Sequence, residues 1–284
     1  MEPNPTFLKL HKPFWANVRS ISEYLGYTER KTSQIKVPTP HEVIEALSAL
    51  GLESPWLFDD KDIPTVEGKL LIEYFTYRAK MLNSFVEPRL LTAKTAKALF
   101  DNLYAKYQPT VPLVMNKQKG AKKAPSYLTC IVNTLIEANA KSHSCNYDPR
   151  QLTTITKKKR ALRTLARRVD GAFPSVINPH AVWEIKEYYY TTTFGSRVAD
   201  GVYETLLDGM ELEELREHEG IHVLHYLIID DHFTWWECGR SYLCRIIDML
   251  HMGYVDEVLF GREVVDRLPI IVKQWVKEIE AKKA

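Results

Sequence analysis

Two charged residues separated by a single position stand in the most strand-like segment of the chain. The run 180–190, HAVWEIKEYYY, is rich in aromatic and β-branched residues, which favour strands. Alternate residues of a strand share a face, so Glu184 and Lys186 should lie side by side, with Trp183 and Ile185 on the other face. A buried carboxylate and ammonium are costly unless they are paired or have a function. The pair is therefore either a structural ion pair or part of a reactive site.

A second acidic residue, Asp170, precedes Glu184 by thirteen intervening positions. If the predicted strands 161–169 and 180–188 pair as neighbours, Asp170 falls close to Glu184. Two carboxylates beside a lysine would bind a hard divalent cation such as Mg²⁺ through oxygen. The cation could polarise a phosphodiester and lower the pKa of its bound water. Lys186 could orient or deprotonate that water, or stabilise negative charge on the phosphate.

Sequence periodicity predicts a mixed α/β arrangement around these residues. From residue 125 we expect a helix over 125–141, strands over 151–156 and 161–169, a turn over 170–179 and a strand over 180–190. There follow a helix over 193–209, a strand over 222–230 and a helix over 241–253. The last predicted element is a helix over 262–284, interrupted near Pro269. The order is helix, three strands, helix, strand, with only helices after it.

The N-terminal part of the chain has helical periodicity instead. The predicted helices cover 37–52, with Thr39 as N-cap and Pro40 at the first position, then 66–86 and 92–107. Residues 108–125 contain three prolines, a glycine and four lysines, which is typical of a linker. We therefore expect a helical N-terminal region over 1–110, which could contribute to target recognition, and a second domain over 111–284.

Positive charge is concentrated in one stretch, although the whole chain has a net charge of only +2. Residues 102–168 hold 14 Lys and Arg against two acids, Glu137 and Asp148, which gives +12. The rest of the chain has 24 basic and 34 acidic residues, which gives −10. A charge run alone is usually a solvated face, but a segregated basic block is also the footprint of polyanion binding.

The motif Asp170-x13-Glu184-Ile185-Lys186, set in an αβββαβ order, resembles the PD-(D/E)xK nuclease superfamily, whose members have the restriction-endonuclease-like fold. The resemblance covers roughly residues 125–230. It implies that Asp170, Glu184 and the Ile185 carbonyl bind the metal and that Lys186 is the catalytic lysine. Val169 stands where the name of the motif has proline.

The same resemblance implies a Mg²⁺-dependent endonuclease of the type II restriction class acting on double-stranded DNA, with Mn²⁺ as a substitute. Glu137 would be a further acid on the first core helix. We expect a homodimer. The expected phosphate contacts come from the basic block and from the start of the next helix: Lys157, Lys158, Lys159, Arg160, Arg167, Arg168 and Arg197.

Two other functions compete with this one. A non-catalytic DNA-binding protein on the same fold would use the Asp170, Glu184 and Lys186 cluster only structurally. A zinc metallopeptidase would use His218, Glu219 and His222, which match HExxH. That motif requires a helix, whereas Gly220 and the apolar run after it favour a helix end followed by a strand.

The cysteines and the N-terminal residues predict a cytoplasmic protein. The four cysteines contain no CxxC pair, as expected of free thiols in a reducing compartment. The first fifteen residues lack the apolar segment of a signal peptide, and no window is long and apolar enough for a membrane helix.

Overall fold

The computed structural model describes residues 1–120, 123–191 and 195–282. The chain forms two compact units, each assembled from segments that are distant in sequence. The sheet unit comprises residues 1–2, 89–234 and 254–284, and the helical unit comprises residues 3–88 and 235–253.

The helices and strands are numbered in chain order. The helices are α1 (Pro5–Leu8), α2 (Lys12–Leu25), α3 (Pro40–Ala49), α4 (Val66–Met81), α5 (Ala93–Tyr107), α6 (Tyr127–Asn139), α7 (Ser196–Glu219), α8 (Arg240–His251) and α9 (Glu263–Ala281). The strands are β1 (Asn146–Tyr147), β2 (Thr154–Lys157), β3 (Arg160–Thr164), β4 (Gly171–Phe173), β5 (Ala181–Glu187), β6 (Leu224–Asp230) and β7 (Glu257–Phe260).

A buried arginine connects α4 to α8 in the helical unit. Nη1 of Arg78 lies 3.0 and 2.9 Å from the two oxygens of Asp248. The Tyr74 hydroxyl donates to the same carboxylate at 2.5 Å, and Ser22 accepts from the guanidinium at 3.2 Å. Since Arg78 and Asp248 are almost fully buried, each compensates the desolvation of the other.

The sheet unit is built on a five-stranded mixed sheet in the order β1-β4-β5-β6-β7. β1, β4 and β5 are antiparallel neighbours, whereas β5, β6 and β7 are parallel. α6 precedes the sheet in the chain, and α7 connects β5 to β6. The predicted mixed α/β fold class is confirmed. Between α6 and α7 the described residues form five strands, β1 to β5, of which β1, β4 and β5 join this sheet.

α6 and α9 pack on the sheet through a common core. The indole of Trp183 on β5 stacks on Trp275 of α9, with ring centres 5.8 Å apart. Glu187, the last residue of β5, accepts hydrogen bonds from the backbone N–H and the hydroxyl of Thr129 at 2.7 and 2.9 Å. Because this carboxylate satisfies N–H groups in the first turn of α6, it fixes that helix against the end of β5.

The strands predicted over 151–156 and 161–169 do not join this sheet. They form β2 and β3, a separate two-stranded antiparallel ribbon. The strand that pairs with β5 is β4, which lies inside the segment 170–179 that the sequence predicts to be a turn. β4 has only three residues, Gly171, Ala172 and Phe173. The Asp-Gly pair at its start and Pro174 after its end are turn signals, which hid the strand in the sequence.

Two predictions for the C-terminal part are wrong. The segment after α8 contains a strand, β7, in addition to helices; its four residues are fully buried against β6 and too few to show a period. α9 continues through Pro269 without interruption. Proline removes one backbone hydrogen bond from the helix. The burial of the face that contains Leu268, Val272 and Trp275 stabilises the helix by more than this loss.

The division between the units lies before α5, whereas the predicted domain boundary lies between residues 110 and 111. α5 belongs to the sheet unit, where the ring of Phe100 lies 5.8 Å from that of Tyr127 on α6. The predicted linker 108–125 also belongs to it, because Ser126 N donates to Val114 O at 2.8 Å.

The four cysteines are free thiols, as the sequence predicts. None of the helices within the described ranges is both long and apolar enough to cross a lipid bilayer.

Replacing Gly171 with alanine should destabilise the sheet unit by about 1–3 kcal/mol, the usual cost of overpacking. A Cβ at this position would lie 2.0 Å from Cζ2 of Trp183, which is held by its stacking on Trp275. Urea unfolding measures the change. Gly195→Ala is the control, because its Cβ would have no neighbour within 4 Å, and it should change the unfolding free energy by less than about 0.5 kcal/mol. Equal stabilities of the two variants would contradict the packing argument.

Candidate active site

The pairing of β4 with β5 brings Asp170 beside Glu184. The backbone N–H of Asp170 donates to Trp183 O at 3.1 Å and lies 3.3 Å from Glu184 Oε1. In return, Oδ2 of Asp170 accepts from Ile185 N at 2.7 Å. The predicted proximity of the two acids is therefore confirmed, but β4 and not the segment 161–169 is the strand that creates it.

The Glu184 carboxylate has no exposed surface, and each of its oxygens contacts a cation. Oε2 lies 2.8 Å from Nζ of Lys186, and Oε1 lies 3.0 Å from Nη1 of Arg167. Burial alone would raise the pKa of Glu184, but the two cations together lower it below its ordinary value. Burial would lower the pKa of Lys186, but Glu184 and Asp170 raise it well above its ordinary value. Lys186 is therefore an ammonium at neutral pH.

α7 adds two acids that the sequence analysis missed. Oε2 of Glu204 lies 3.1 Å from Lys186 Nζ and 3.2 Å from Arg167 Nη2. Oδ2 of Asp208, one turn later, lies 2.5 Å from Arg167 Nη1. Asp208 is fully buried, and among the described residues no group forms a hydrogen bond to its Oδ1. Burial, followed by the negative charge of Glu184, raises the pKa of Asp208 to about 7.

The cluster contains more carboxylates than cations. Asp170, Glu184, Glu204 and Asp208 surround only two positive side chains, Lys186 and Arg167. Consistent with this excess, loss of hydration and the charge of Glu184 raise the pKa of Asp170 to about 6. An additional cation would be attracted to such a site.

The residues present are compatible with a hard cation that keeps part of its hydration. Asp170 offers an exposed carboxylate, whereas Glu184 could bind a cation only in place of Lys186 or Arg167, which contact its two oxygens; the Ile185 carbonyl belongs to the same β5 segment. In the part of the chain that the structure describes, no three His, Cys, Asp or Glu side chains form a complete metal site. Mg²⁺ in proteins typically uses one or two carboxylates and completes its shell with water and substrate oxygens.

Two open cavities meet at Asp170. The Lys186 cavity, of about 750 Å³, is lined by Lys186, Tyr188, Arg197 and Glu204 among others. The Asn133 cavity, of about 1040 Å³, is lined by residues from the predicted linker, from α6 and from the segment 147–152. Both cavities include Asp170 and Arg167 in their walls, so Asp170 is exposed at their junction.

Four consecutive basic residues, 157–160, form the tip of the β2–β3 ribbon. Lys157 ends β2, Arg160 begins β3, and all four side chains are exposed. Lys158 and Lys159 connect the strands with φ of 51° and 66°. This is the left-handed backbone of a two-residue hairpin loop, where Asn and Gly are usual. The ribbon therefore presents a compact positive charge to solvent.

The other predicted DNA contacts differ from one another. Arg168 is exposed and lines the Asn133 cavity, and Arg197, in the first turn of α7, lines the Lys186 cavity. Arg167 is bonded instead to the carboxylates of the cluster. The structure does not bring Glu137 into the cluster, because its carboxylate accepts from the backbone N–H of Thr110 at 2.9 Å and from the Thr110 hydroxyl.

Comparison with known proteins identifies the family to which this site belongs. Residues 91–275 match a family described as a domain of unknown function, DUF7687, and residues 1–85 match a second, DUF7690. The chain belongs to the DUF7687 family. No curated protein and no solved structure matches the chain. The Asp170, Glu184 and Lys186 cluster lies entirely within the DUF7687 region.

The HExxH match in the DUF7687 region does not have the geometry of a zinc peptidase. His218 and Glu219 are the last residues of α7, and Gly220, with φ of 66°, ends the helix. His222 follows outside the helix, and its Nε2 lies 3.2 Å from Asp256 Oδ1. Because the two histidines do not share a helix face, the prediction of a helix end at Gly220 is confirmed and the peptidase hypothesis loses its structural basis.

The stability of the DUF7687 region should depend on the protonation of Asp208. Its pKa is raised from 3.8 to about 7, so the folded chain binds this proton more tightly than the unfolded chain. The contribution of Asp208 to stability is therefore complete below pH about 4 and is lost as the pH rises towards about 7. Asp208→Asn should remove this loss. The unfolding free energy of the variant relative to that of the wild type should therefore rise by up to about 1.4 kcal/mol per pH unit between pH about 4 and about 7.

Urea unfolding at a series of pH values measures this difference. Asp200→Asn, on the exposed part of the same helix, controls for the change in net charge. Parallel stability curves for the wild type and Asp208→Asn would refute the role of Asp208.

Proposed function

We propose that the chain is a divalent-cation-dependent DNA endonuclease of the PD-(D/E)xK superfamily, similar to type II restriction endonucleases. The observation that carries the proposal is that Asp170, directly before β4, lies beside Glu184 and Lys186 of β5, and that Asp170 lines two open cavities, one of which Lys186 lines as well. The sheet supports it in part, because β1, β4 and β5 lie between α6 and α7 as the resemblance expects of three strands, although the β2–β3 ribbon is inserted between β1 and β4.

The expected cation is Mg²⁺, with Mn²⁺ as a substitute, held by Asp170, Glu184 and the Ile185 carbonyl. When bound, it would act as a Lewis acid on the phosphodiester and lower the pKa of water. Lys186 is an ammonium, so its contribution is to donate hydrogen bonds to the phosphate and to stabilise the charge that develops there. Deprotonation of the water by Lys186 stays an alternative, because a cation bound by Asp170 and Glu184 would offset the charges that raise the pKa of Lys186.

The carboxylates of β5 and α7 position the amine of Lys186. Glu184 and Glu204 contact Nζ from two sides, at 2.8 and 3.1 Å, and therefore restrict its rotation. Gly201 of α7 permits this approach, because a Cβ there would lie 3.3 Å from Lys186 Cδ. An ammonium fixed before substrate binds loses little entropy on contacting the phosphate.

DNA would approach along the exposed basic residues around the cavities. Arg168 and Arg197 lie at the two cavities, and the tip of the β2–β3 ribbon adds the charges of residues 157–160. Such contacts bind phosphates without reading sequence. A homodimer is part of the proposal, since two sites related by symmetry would cut both strands of a duplex.

One observation favours a second candidate, a DNA-binding protein without nuclease activity. Both oxygens of Glu184 are engaged by Lys186 and Arg167, so the ion pairs could serve the fold alone. The two functions share the basic surface and differ in whether phosphodiesters are hydrolysed.

The purified chain should cleave large mixed genomic DNA with Mg²⁺ or Mn²⁺, and EDTA should stop the reaction. Lys186→Ala and Asp170→Asn should abolish cleavage, because they remove the ammonium and a ligand charge. Asp170→Asn should leave the melting temperature unchanged or raised, since the cluster already has an excess of carboxylates. Gel electrophoresis measures the products, with discrete fragments indicating sequence specificity.

Asp101→Asn is the control for the lost charge, because Asp101 of α5 is exposed, pairs with Lys97 and lines neither cavity. This variant should cleave at nearly the wild-type rate. Cleavage by Asp170→Asn would exclude the proposed metal ligand. If neither cation supports cleavage of double-stranded, single-stranded or methylated DNA, the non-catalytic binding protein replaces the nuclease.

Replacing Lys158 with asparagine and Lys159 with glycine should weaken binding to all DNA sequences alike. The Asn-Gly pair suits the left-handed loop and preserves the ribbon while it removes two charges. For every phosphate that the variant no longer binds, the slope of log affinity against log salt should fall by about one. Fluorescence anisotropy over a salt series in EDTA measures the slope. The control variant, Lys273→Asn with Lys277→Asn, removes two exposed charges from α9, and an equal effect of both variants would show that the ribbon has no special role.

A further inference from the structure

The Asn133 cavity contains a buried amide whose hydrogen-bonding groups are not used. Asn133 of α6 is only 4 % exposed and lines the cavity. Among the described residues, none donates to or accepts from its side-chain amide. Because the amide opens on the cavity, a ligand that supplies both a donor and an acceptor could bind it there. The position is on α6, one turn before Glu137.

The rim of the same cavity is apolar. Leu113, Met115 and Leu152 line it and are 43, 44 and 41 % exposed. The ring of Tyr147 on β1 lines it as well. A flat, partly apolar group could enter between these side chains and remove their surface from water.

Among the charged residues of the lining, the four basic ones outnumber Asp148 and Asp170, although Arg150 is paired with Asp148 at 3.0 Å. Lys117, Arg150 and Arg168 lie around the cavity, and Asp170 belongs to its wall. A ligand that is flat, partly apolar and attached to a phosphate matches the amide, the apolar rim and the positive charge together. The volume of about 1040 Å³ is at the upper end of ordinary small-molecule sites, which is ample for one nucleotide.

We propose that the Asn133 cavity binds an unstacked adenine of the nucleic acid, next to the phosphate at Asp170. This rests on the proposed function, which it deepens by naming the form of the substrate: a strand with one base out of the stack. The Asn133 amide would donate to adenine N7 and accept from N6, the pairing that asparagine makes with this base. Tyr147 and the apolar rim would contact its faces.

The test is a binding measurement in EDTA, so that nothing is cleaved. Two labelled duplexes differ at one position, which carries either an unpaired adenine or an abasic analogue with the same phosphates. The wild-type chain should bind the adenine duplex about tenfold more tightly. In Asn133→Leu, which keeps the volume and removes the amide, this preference should fall below about threefold.

Asn139→Leu is the matched control on the same helix, because the Asn139 amide donates to Leu135 O at 2.8 Å and does not line the cavity. It should keep the tenfold preference. Leu152→Trp, at an exposed position on the rim, provides a second test that does not alter the buried residue; its indole would occupy part of the apolar rim that the base contacts, so the preference should fall.

Equal affinity of the wild-type chain for the two duplexes would overturn the proposal, and so would a preference that both Asn133→Leu and Leu152→Trp retain. These outcomes are separate from cleavage. Cleavage without an adenine preference would leave the nuclease and remove the base site. An adenine preference without cleavage would leave the base site on a binding protein.

Discussion

The desolvated carboxylate of Glu184 is the constraint around which the sheet unit is arranged. A charge without exposed surface is tolerated only when opposite charges and hydrogen bonds replace its water. Lys186 comes from the same strand, and Arg167 comes from the segment after the β2–β3 ribbon. Arg167 in turn requires Asp208 and Glu204, which fixes the rotation of α7 about its axis. One buried acid thus determines how three separate segments meet.

Small residues allow this charged cluster to close. A Cβ on Gly201 would lie 2.8 Å from the hydroxyl of Tyr188, and a Cβ on Gly209 would lie 2.4 Å from the carbonyl oxygen of Tyr254. Both glycines are in α7, where glycine costs roughly 1 kcal/mol relative to alanine. The helix gives up this stability so that its backbone can approach β5 and the segment before β7 closely enough for Glu204 and Asp208 to contact their partners.

The sequence predicted most of the fold where an element was long enough to show its period. β5 was identified from its run of strand-forming residues, and with it the Glu184 and Lys186 pair. β4 and β7 were missed because strands of three and four fully buried residues show no alternation. The proximity of Asp170 to Glu184 was predicted from a pairing of the segment 161–169 with β5. In the structure the strand next to Asp170 that pairs with β5 is β4.

The acids of α7 could have been found from the helical period itself. Asp208 falls in the buried series with Gly201, Thr205 and Leu212, and a charged residue in such a series indicates a partner or a function. That the partner is Arg167 could not be predicted, because this contact depends on how the ribbon and α7 pack. The same holds for Asn133, whose sequence context is that of an ordinary apolar helix.

The chain order of the helical unit has a consequence for biosynthesis. Residues 3–88 leave the ribosome first, but their core includes Arg78, whose carboxylate partner Asp248 is on α8. Until α8 is translated, the buried site of Arg78 has no counter-ion, and a buried charge without its partner costs about 3–5 kcal/mol. The nascent N-terminal helices should therefore remain loosely packed until α8 has been translated.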